Sequence, residues 1–126
     1  MSMREIRFRG KHNDTEEWYF GCLLKVEDNT FIRDKVRHKH LTHPVTPETV
    51  GQYTGLKDKN GVGIYEGDIL KEGYQIILVL WDDEYASFTL HCENWSCLGF
   101  FYEDLDVDKV EVIGNIHDNP EQFNIK

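Results

Sequence analysis

The chain has 126 residues, of which 40% are apolar, 29% charged and 13% aromatic, and it carries a net charge of −9. This charge is uneven, since residues 1–63 carry +2 and residues 64–126 carry −11. The composition is typical of one globular domain with at most a small appendage, and the longest apolar run falls well short of the ~20 residues of a membrane span.

Alternating apolar and polar residues predict β-strands along almost the whole chain. In the first third, three short strands are expected at residues 6–9, 18–26 and 31–32. Gly21, inside the second of them, indicates a bulge or a close approach of another backbone. After these strands, Thr46, Pro47 and Glu48 form a helix-start pattern that predicts one or two helical turns.

The second half contains the strongest strand and turn signals. Asn60-Gly61 is a typical hairpin turn, because both residues accept a positive φ. Residues 76–81 are apolar at every position, which predicts a central strand buried on both faces. Further strands are expected at 86–91, 95–102 and 109–117.

Short strands separated by turns about ten residues apart predict a mainly β fold with little helix. We expect residues 1–45 to form an N-terminal antiparallel β-layer. Residues 46–117 are predicted to form a small SH3-like barrel, and residues 118–126 a tail or a short turn.

The central segment carries a family resemblance. Residues 52–61 read QYTGLKDKNG and residues 64–69 read IYEGDI. Together they resemble the hallmark segment of the YopX family of phage and prophage proteins, and residues 3–9 and 110–116 resemble the two ends of that family. The resemblance implies a β-rich fold with an SH3-like barrel, a bacterial host cell and a tendency to self-associate. It implies no established activity.

The same segment has a structural interpretation without the family. Its tight turns fix the strand register, while the alternating residues supply the core, namely Tyr53, Leu56, Ile64, Tyr65 and Ile69. The alternative is that Glu66 and Asp68 form part of a ligand site at the mouth of the barrel.

A run of alternating charges precedes this segment. Its basic members are Arg33, Lys35, Arg37 and Lys39. In one extended strand they would lie on a single face, because side chains alternate across a strand. One interpretation is a solvated strand edge that discourages pairing. The other is a basic surface that contacts the acidic 103–108 stretch of the same chain or of a neighbouring copy.

Aromatic residues provide the second candidate surface. Three successive rings at residues 100–102 cannot all enter one core layer, so Phe101 and Trp95 are predicted to contact a partner. The alternative is that another structural layer covers them.

No cofactor or metal is expected. His38, His40 and His43 are weak metal candidates, because the neighbouring Arg and Lys side chains would repel a cation. Cys22, Cys92 and Cys97 are expected to be reduced, and a redox pair between Cys92 and Cys97 is the alternative.

The absence of nucleophile, phosphate-binding and dinucleotide motifs favours a non-enzyme. The sequence therefore predicts a cytoplasmic protein-interaction module that self-associates, with no membrane partner, and its net charge disfavours nucleic acid. The alternative is a single-stranded nucleic-acid-binding barrel, in which Arg7, Arg9 and the basic run contact phosphates and Trp18 or Trp95 stacks on bases. A small metal-dependent enzyme centred on the three histidines is the third, less favoured interpretation.

Overall fold

The computed structural model describes residues 5–36, 39–93 and 98–123. The chain divides into two compact units, Met1–Tyr53 (unit 1) and Thr54–Lys126 (unit 2). The predicted domains 1–45, 46–117 and 118–126 stay a prediction, because compactness alone does not show that a segment folds by itself.

Unit 1 is built from antiparallel strands. Its elements are β1 (Phe8–Lys11), β2 (Trp18–Val26), β3 (Asn29–Val36), β4 (Lys39–Pro44), a 3₁₀ helix (Pro47–Thr49) and β5 (Gly51–Lys57), which continues into unit 2. The strand order is β4-β3-β2-β1-β5, and the short strand β6 (Gly63–Tyr65) continues it. The predicted short helix and the strand over 18–26 are confirmed.

The core of unit 1 is small. Ile32 and Val45 are fully buried, and the backbone of Gly10 lies against the Val45 side chain. A Cβ atom at Gly21 would lie 2.2 Å from the carbonyl oxygen of Arg33. The predicted close backbone approach at Gly21 is therefore confirmed.

Unit 2 contains a second antiparallel sheet with the strand order β10-β9-β8-β7-β11. Its elements are β7 (Asp68–Glu72), β8 (Gln75–Asp82), β9 (Ser87–Cys92), β10 (Leu98–Phe100), a one-turn helix α1 (Phe101–Asp104), β11 (Glu111–Asn115) and a 3₁₀ helix (Pro120–Gln122). Strand β8 lies at the centre of this sheet, as its uninterrupted apolar run predicts.

The sheet of unit 2 is buried on both faces. Ile77 and Val79 of β8 pack in a cluster with Phe88 and Phe101, whereas Leu78 packs with Ile69 and Phe123 in a second cluster. Because successive side chains of a strand point to opposite faces, a fully apolar strand supplies both clusters.

The fold is mainly β, with two antiparallel sheets and little helix, which confirms the general prediction. The SH3-like barrel is not confirmed, because in the described residues no ladder joins β10 to β11 and neither sheet closes on itself. The predicted strand over 95–102 is wrong after Phe100, where the chain enters α1. Within the same described ranges, no helix has the length and apolar content that a membrane crossing requires.

The hallmark segment makes structural contacts. The buried carboxylate of Asp68 accepts a hydrogen bond from the Tyr65 backbone N–H at 2.8 Å. The Asp58 carboxylate accepts backbone N–H groups from Asn60, Val62 and Val112, and so joins the Asn60-Gly61 turn to β11. These bonds support the structural interpretation of the segment. The predicted core position of Leu56 is wrong, because its side chain is 38% exposed at the end of β5.

Candidate functional site

A groove of about 630 Å³ lies on unit 1. It is lined by residues that include Ile6, Arg7, Phe20, Cys22, Arg33 and His40. The strand register accounts for this set, because Cys22 pairs with Arg33 across β2 and β3, and His40 of β4 pairs with position 35 of β3. Residues that are paired across neighbouring antiparallel strands share a face of the sheet.

The groove has mixed charge. Its lining includes two arginines, Arg7 and Arg33, and two acidic residues, Glu5 and Asp34, although the Asp34 carboxylate lies on the opposite face of the hairpin, next to His43. Glu5 lies 3.4 Å from Arg7, and Asp34 lies 3.3 Å from the Nε2 atom of His43. Such a surface suits a polar and partly apolar partner better than a uniformly charged polymer.

Cations stack on aromatic rings beside the groove. The Arg7 guanidinium lies 5.0 Å from the ring centre of Tyr53, and the Arg9 guanidinium lies 4.7 Å from that of Trp18. Arg9 is buried, with 7% of its surface exposed, so its stacking on Trp18 is internal. Phe20, which lines the groove, is 45% exposed and is therefore accessible to a partner.

The predicted four-residue basic face is wrong. The chain reverses between β3 and β4, where Val36 pairs with Lys39 and Arg33 pairs with Thr42. Arg33 and Lys39 therefore lie on opposite faces of this hairpin, although both are exposed. Arg37, a predicted interaction residue, lies outside the described residues.

The histidines do not converge. His40 lines the groove, whereas His43 lies three positions further along β4 and so on the other face, where its ring stacks on Tyr19 at a centroid distance of 3.7 Å. A hydrogen bond to Glu17, with burial, raises the pKa of Tyr19 above its ordinary value. The described part of the chain holds no group of three metal-ligating side chains, and His38 lies outside it.

In unit 2 the exposed ring is not the predicted one. Phe101 is fully buried and packs edge-on against Phe88 and Tyr102. Tyr102, its neighbour, is 46% exposed and donates its hydroxyl to the Thr54 carbonyl. Trp95 lies outside the described residues. No local pattern distinguishes Phe101 from Tyr102, because the turn into α1 decides which ring points inward.

The acidic 103–108 stretch begins inside the one-turn helix α1 and continues into a turn. Asp104 accepts the backbone N–H of Phe100 at 2.7 Å, at the start of α1. Asp106 accepts the N–H of Asp108 at 3.1 Å and lies 3.8 Å from the Lys109 ammonium. These carboxylates hold a helical turn and the turn that follows it.

The two described cysteines differ from the expectation of buried, reduced thiols. Cys22 is free but exposed, whereas Cys92 is buried and disulfide-bonded. Cys97, the partner in the alternative redox pair, lies outside the described residues. A smaller cavity of about 230 Å³ beside Cys92 is lined by Glu72, Gln75 and Asp104, and Gln75 donates to the Cys92 sulfur at 3.0 Å. Burial lowers the pKa of nearby His91, which favours its neutral form.

Comparisons with known proteins agree on one family and one fold. The family model described as YopX protein matches residues 7–124. The crystal structure of protein EF1440 from Enterococcus faecalis is 24% identical, with 94% of this chain and 98% of that chain covered and a TM-score of 0.52. This likeness shows a shared fold. No curated protein matches the sequence.

Proposed function

The chain belongs to the YopX family, whose model matches nearly its whole length, and from that premise we propose a non-enzymatic protein-interaction module that self-associates. Membership of this family implies no particular activity. The proposal includes a phage or prophage origin, a bacterial cytoplasm and an SH3-like arrangement of residues 46–117.

The separation of charge between the two units is the observation that carries this proposal. Unit 1 has nine basic and eight acidic side chains, whereas unit 2 has five basic and fifteen acidic ones. Opposite potentials on two parts of one molecule attract separate copies and accelerate their encounter. Strand β4, with the exposed Lys39, His40 and Leu41, is the first strand in its sheet order and so presents an edge.

In the proposed contact, the basic residues predicted from the sequence lie against carboxylates of unit 2. These carboxylates include those of the 103–108 stretch. Arg33 and Lys39 are its described members; Lys35, Arg37 and Trp95 belong to the same proposal. The partner surface lies either on the same chain or on a second copy, and the dependence of mass on concentration distinguishes the two arrangements.

We expect the mass measured by light scattering to fall as salt rises, since the Debye length shortens from roughly 30 Å at 0.01 M to 3 Å at 1 M. The double variant Arg33→Glu/Lys39→Glu should be monomeric at low salt. The matched control, Lys25→Glu/Lys57→Glu, reverses two other exposed lysines and should associate like the wild type. A mass independent of both salt and the first variant would contradict the proposal.

Single-stranded nucleic acid is the second candidate partner, favoured by the exposed ring of Phe20, which lines the same groove as Arg7 and Arg33. Basic grooves with aromatic rings bind single strands by stacking and phosphate contacts. This function predicts salt-dependent quenching of tryptophan fluorescence by short oligonucleotides. Unchanged fluorescence at low salt would remove it.

The metal-dependent enzyme is the least supported alternative. His40 and His43 lie on opposite faces of β4, so one cation cannot bind both side chains in this arrangement. The non-enzymatic proposal is supported by the structural use of Asp58 and Asp68, whose carboxylates bind backbone N–H groups.

A further inference from the structure

The groove of unit 1 opens on one face of its sheet. Cys22 of β2 pairs with Arg33 of β3, and Arg33 pairs with Thr42 of β4, so these three side chains point to the same face. Phe20 precedes Cys22 by two positions and therefore shares that face. His40 shares it too, because it precedes Thr42 by two positions. The groove thus brings an exposed ring and a guanidinium to one surface.

Arg33 supplies a positive charge that the described residues do not neutralise. It is exposed and forms no ion pair within residues 5–36, 39–93 and 98–123. By contrast, Arg7 lies 3.4 Å from Glu5. The Asp34 carboxylate, next along β3, lies on the opposite face, 3.3 Å from His43. The groove therefore has an uncompensated cation on the same surface as an exposed ring.

The turn between β8 and β9 carries the opposite charge. Its four residues, 83–86, are all exposed and read DEYA, and we call them the acidic turn. Tyr85 presents 61% of its surface to solvent. The Glu84 carboxylate accepts no hydrogen bond and forms no ion pair within the part of the chain that the structure describes. Residues 72–108 contain nine carboxylates and neither lysine nor arginine, so this stretch supplies no permanent cation of its own.

The acidic turn is ordered before any partner binds. Asp82 accepts the backbone N–H groups of Glu84 and Tyr85 at 2.9 and 3.2 Å. Asp83 accepts the indole N–H of Trp81 at 2.8 Å, which fixes the first carboxylate of the turn. A surface that is held in this way loses little conformational entropy when it binds.

The groove and the acidic turn are complementary in charge and in chemistry. One presents Arg33 with the ring of Phe20, and the other presents Glu84 with the ring of Tyr85. A guanidinium binds a carboxylate through charge-assisted, bidentate hydrogen bonds, and aromatic rings pair in offset or edge-on geometry. A turn whose four residues are all exposed also suits a recess of about 630 Å³.

We propose that a second copy of the chain inserts its acidic turn into the groove of unit 1, with Glu84 against Arg33 and Tyr85 against Phe20. This inference rests on the self-association proposed above and locates both of its surfaces. Because the two surfaces differ, the contact is heterologous and produces either closed rings or open chains of copies.

Exchange of the two charges tests the contact. Arg33→Glu and Glu84→Arg should each lower the association constant at low salt by at least about tenfold, because a like-charge pair replaces the ion pair. The double variant Arg33→Glu/Glu84→Arg should recover association, since the pair is restored with its signs exchanged. The control Arg33→Glu/Glu121→Arg has the same net charge but reverses a different exposed carboxylate of unit 2, and it should stay as weak as Arg33→Glu. Light scattering over a range of protein concentrations measures each constant.

Cys22 reports whether the groove is covered. Its thiol is free and exposed, so iodoacetamide should alkylate it more slowly as wild-type copies associate at low salt. In Glu84→Arg the groove is unchanged, and the rate should not depend on protein concentration. Mass spectrometry of the peptide that contains Cys22 measures both rates. An unchanged rate in the associated wild type would overturn insertion into the groove.

Tyr85→Ser keeps every charge and removes the exposed ring of the acidic turn. It should weaken association about fivefold, a typical effect of losing an aromatic pair. Tyr74→Ser, at a fully exposed tyrosine in the turn between β7 and β8, is the matched control and should associate like the wild type. Equal association of the two variants would overturn the ring contact. The near-ultraviolet circular dichroism of each variant verifies that its aromatic core is intact.

The outcomes separate this contact from the proposed function. If Glu84→Arg associates like the wild type while Glu103→Arg does not, self-association stands and the acidic turn is overturned. If the wild type stays monomeric at low salt, the proposed function fails and this contact fails with it. If that monomer binds an acidic, tyrosine-containing peptide that slows alkylation of Cys22, the occupant is a foreign segment, and docking of a second copy is overturned.

Discussion

Replacing Phe101 with alanine is expected to lower the free energy of unfolding by about 3–5 kcal/mol. The ring is fully buried in the main core cluster of unit 2, in edge-on contact with Phe88 and Tyr102. Its removal loses the transfer free energy of the ring and leaves a cavity among side chains that relax only in part. Urea unfolding followed by circular dichroism measures the effect.

Tyr74→Ala is the matched control, because this tyrosine is fully exposed. Its substitution should change the free energy of unfolding by less than about 0.5 kcal/mol. If Phe101→Ala were equally mild, the ring would lie at the surface in solution, as the sequence-based prediction of a partner contact requires.

Replacing Asp58 with asparagine is expected to lower the free energy of unfolding by about 2 kcal/mol. The carboxylate accepts the N–H groups of Asn60, Val62 and Val112 at 2.8–2.9 Å. Asparagine has nearly the same shape but only one acceptor oxygen, so an N–H donor faces an NH₂ group in the variant. Urea unfolding at pH 7 measures this cost, and Asp14→Asn, in an exposed turn, should have little effect.

The stability that Asp58→Asn loses relative to the wild type should also depend on pH. Burial by itself would raise the pKa of the Asp58 carboxyl, but the three backbone N–H groups and the nearby Lys59 lower it below its ordinary value. A carboxyl whose pKa is lower in the folded state stabilises the protein fully above its unfolded pKa of about 3.9. The advantage of the wild type over Asp58→Asn should therefore shrink as the pH falls below about 4, and a constant difference would contradict this account.

The strands predicted best are those whose signal is local. Alternation from Trp18 to Val26 and the apolar run at residues 76–81 match β2 and the centre of β8. The structural consequence of Gly21 was also predictable, because a glycine inside a strand indicates that another backbone lies close. In each case neighbouring residues alone carry the information.

The candidate site was predicted less well. Arg33 does line the groove of unit 1, but Arg7 and Phe20 join it only through pairing between strands. Trp81 and Tyr85 of unit 2 are exposed, but no local signal separated them from core aromatics. Burial depends on which distant residues cover a ring, and alternation contains no information about that.

The amino-acid order alone determined the period-two pattern, the positions of the tight turns and the concentration of carboxylates after Lys71. Tertiary structure decided where those features point. Reversal of the chain between β3 and β4 places Arg33 and Lys39 on opposite faces, and the turn into α1 buries Phe101 while leaving Tyr102 exposed. The physical reason is that alternation assigns residues to two faces, whereas strand register and long-range packing decide which face meets solvent.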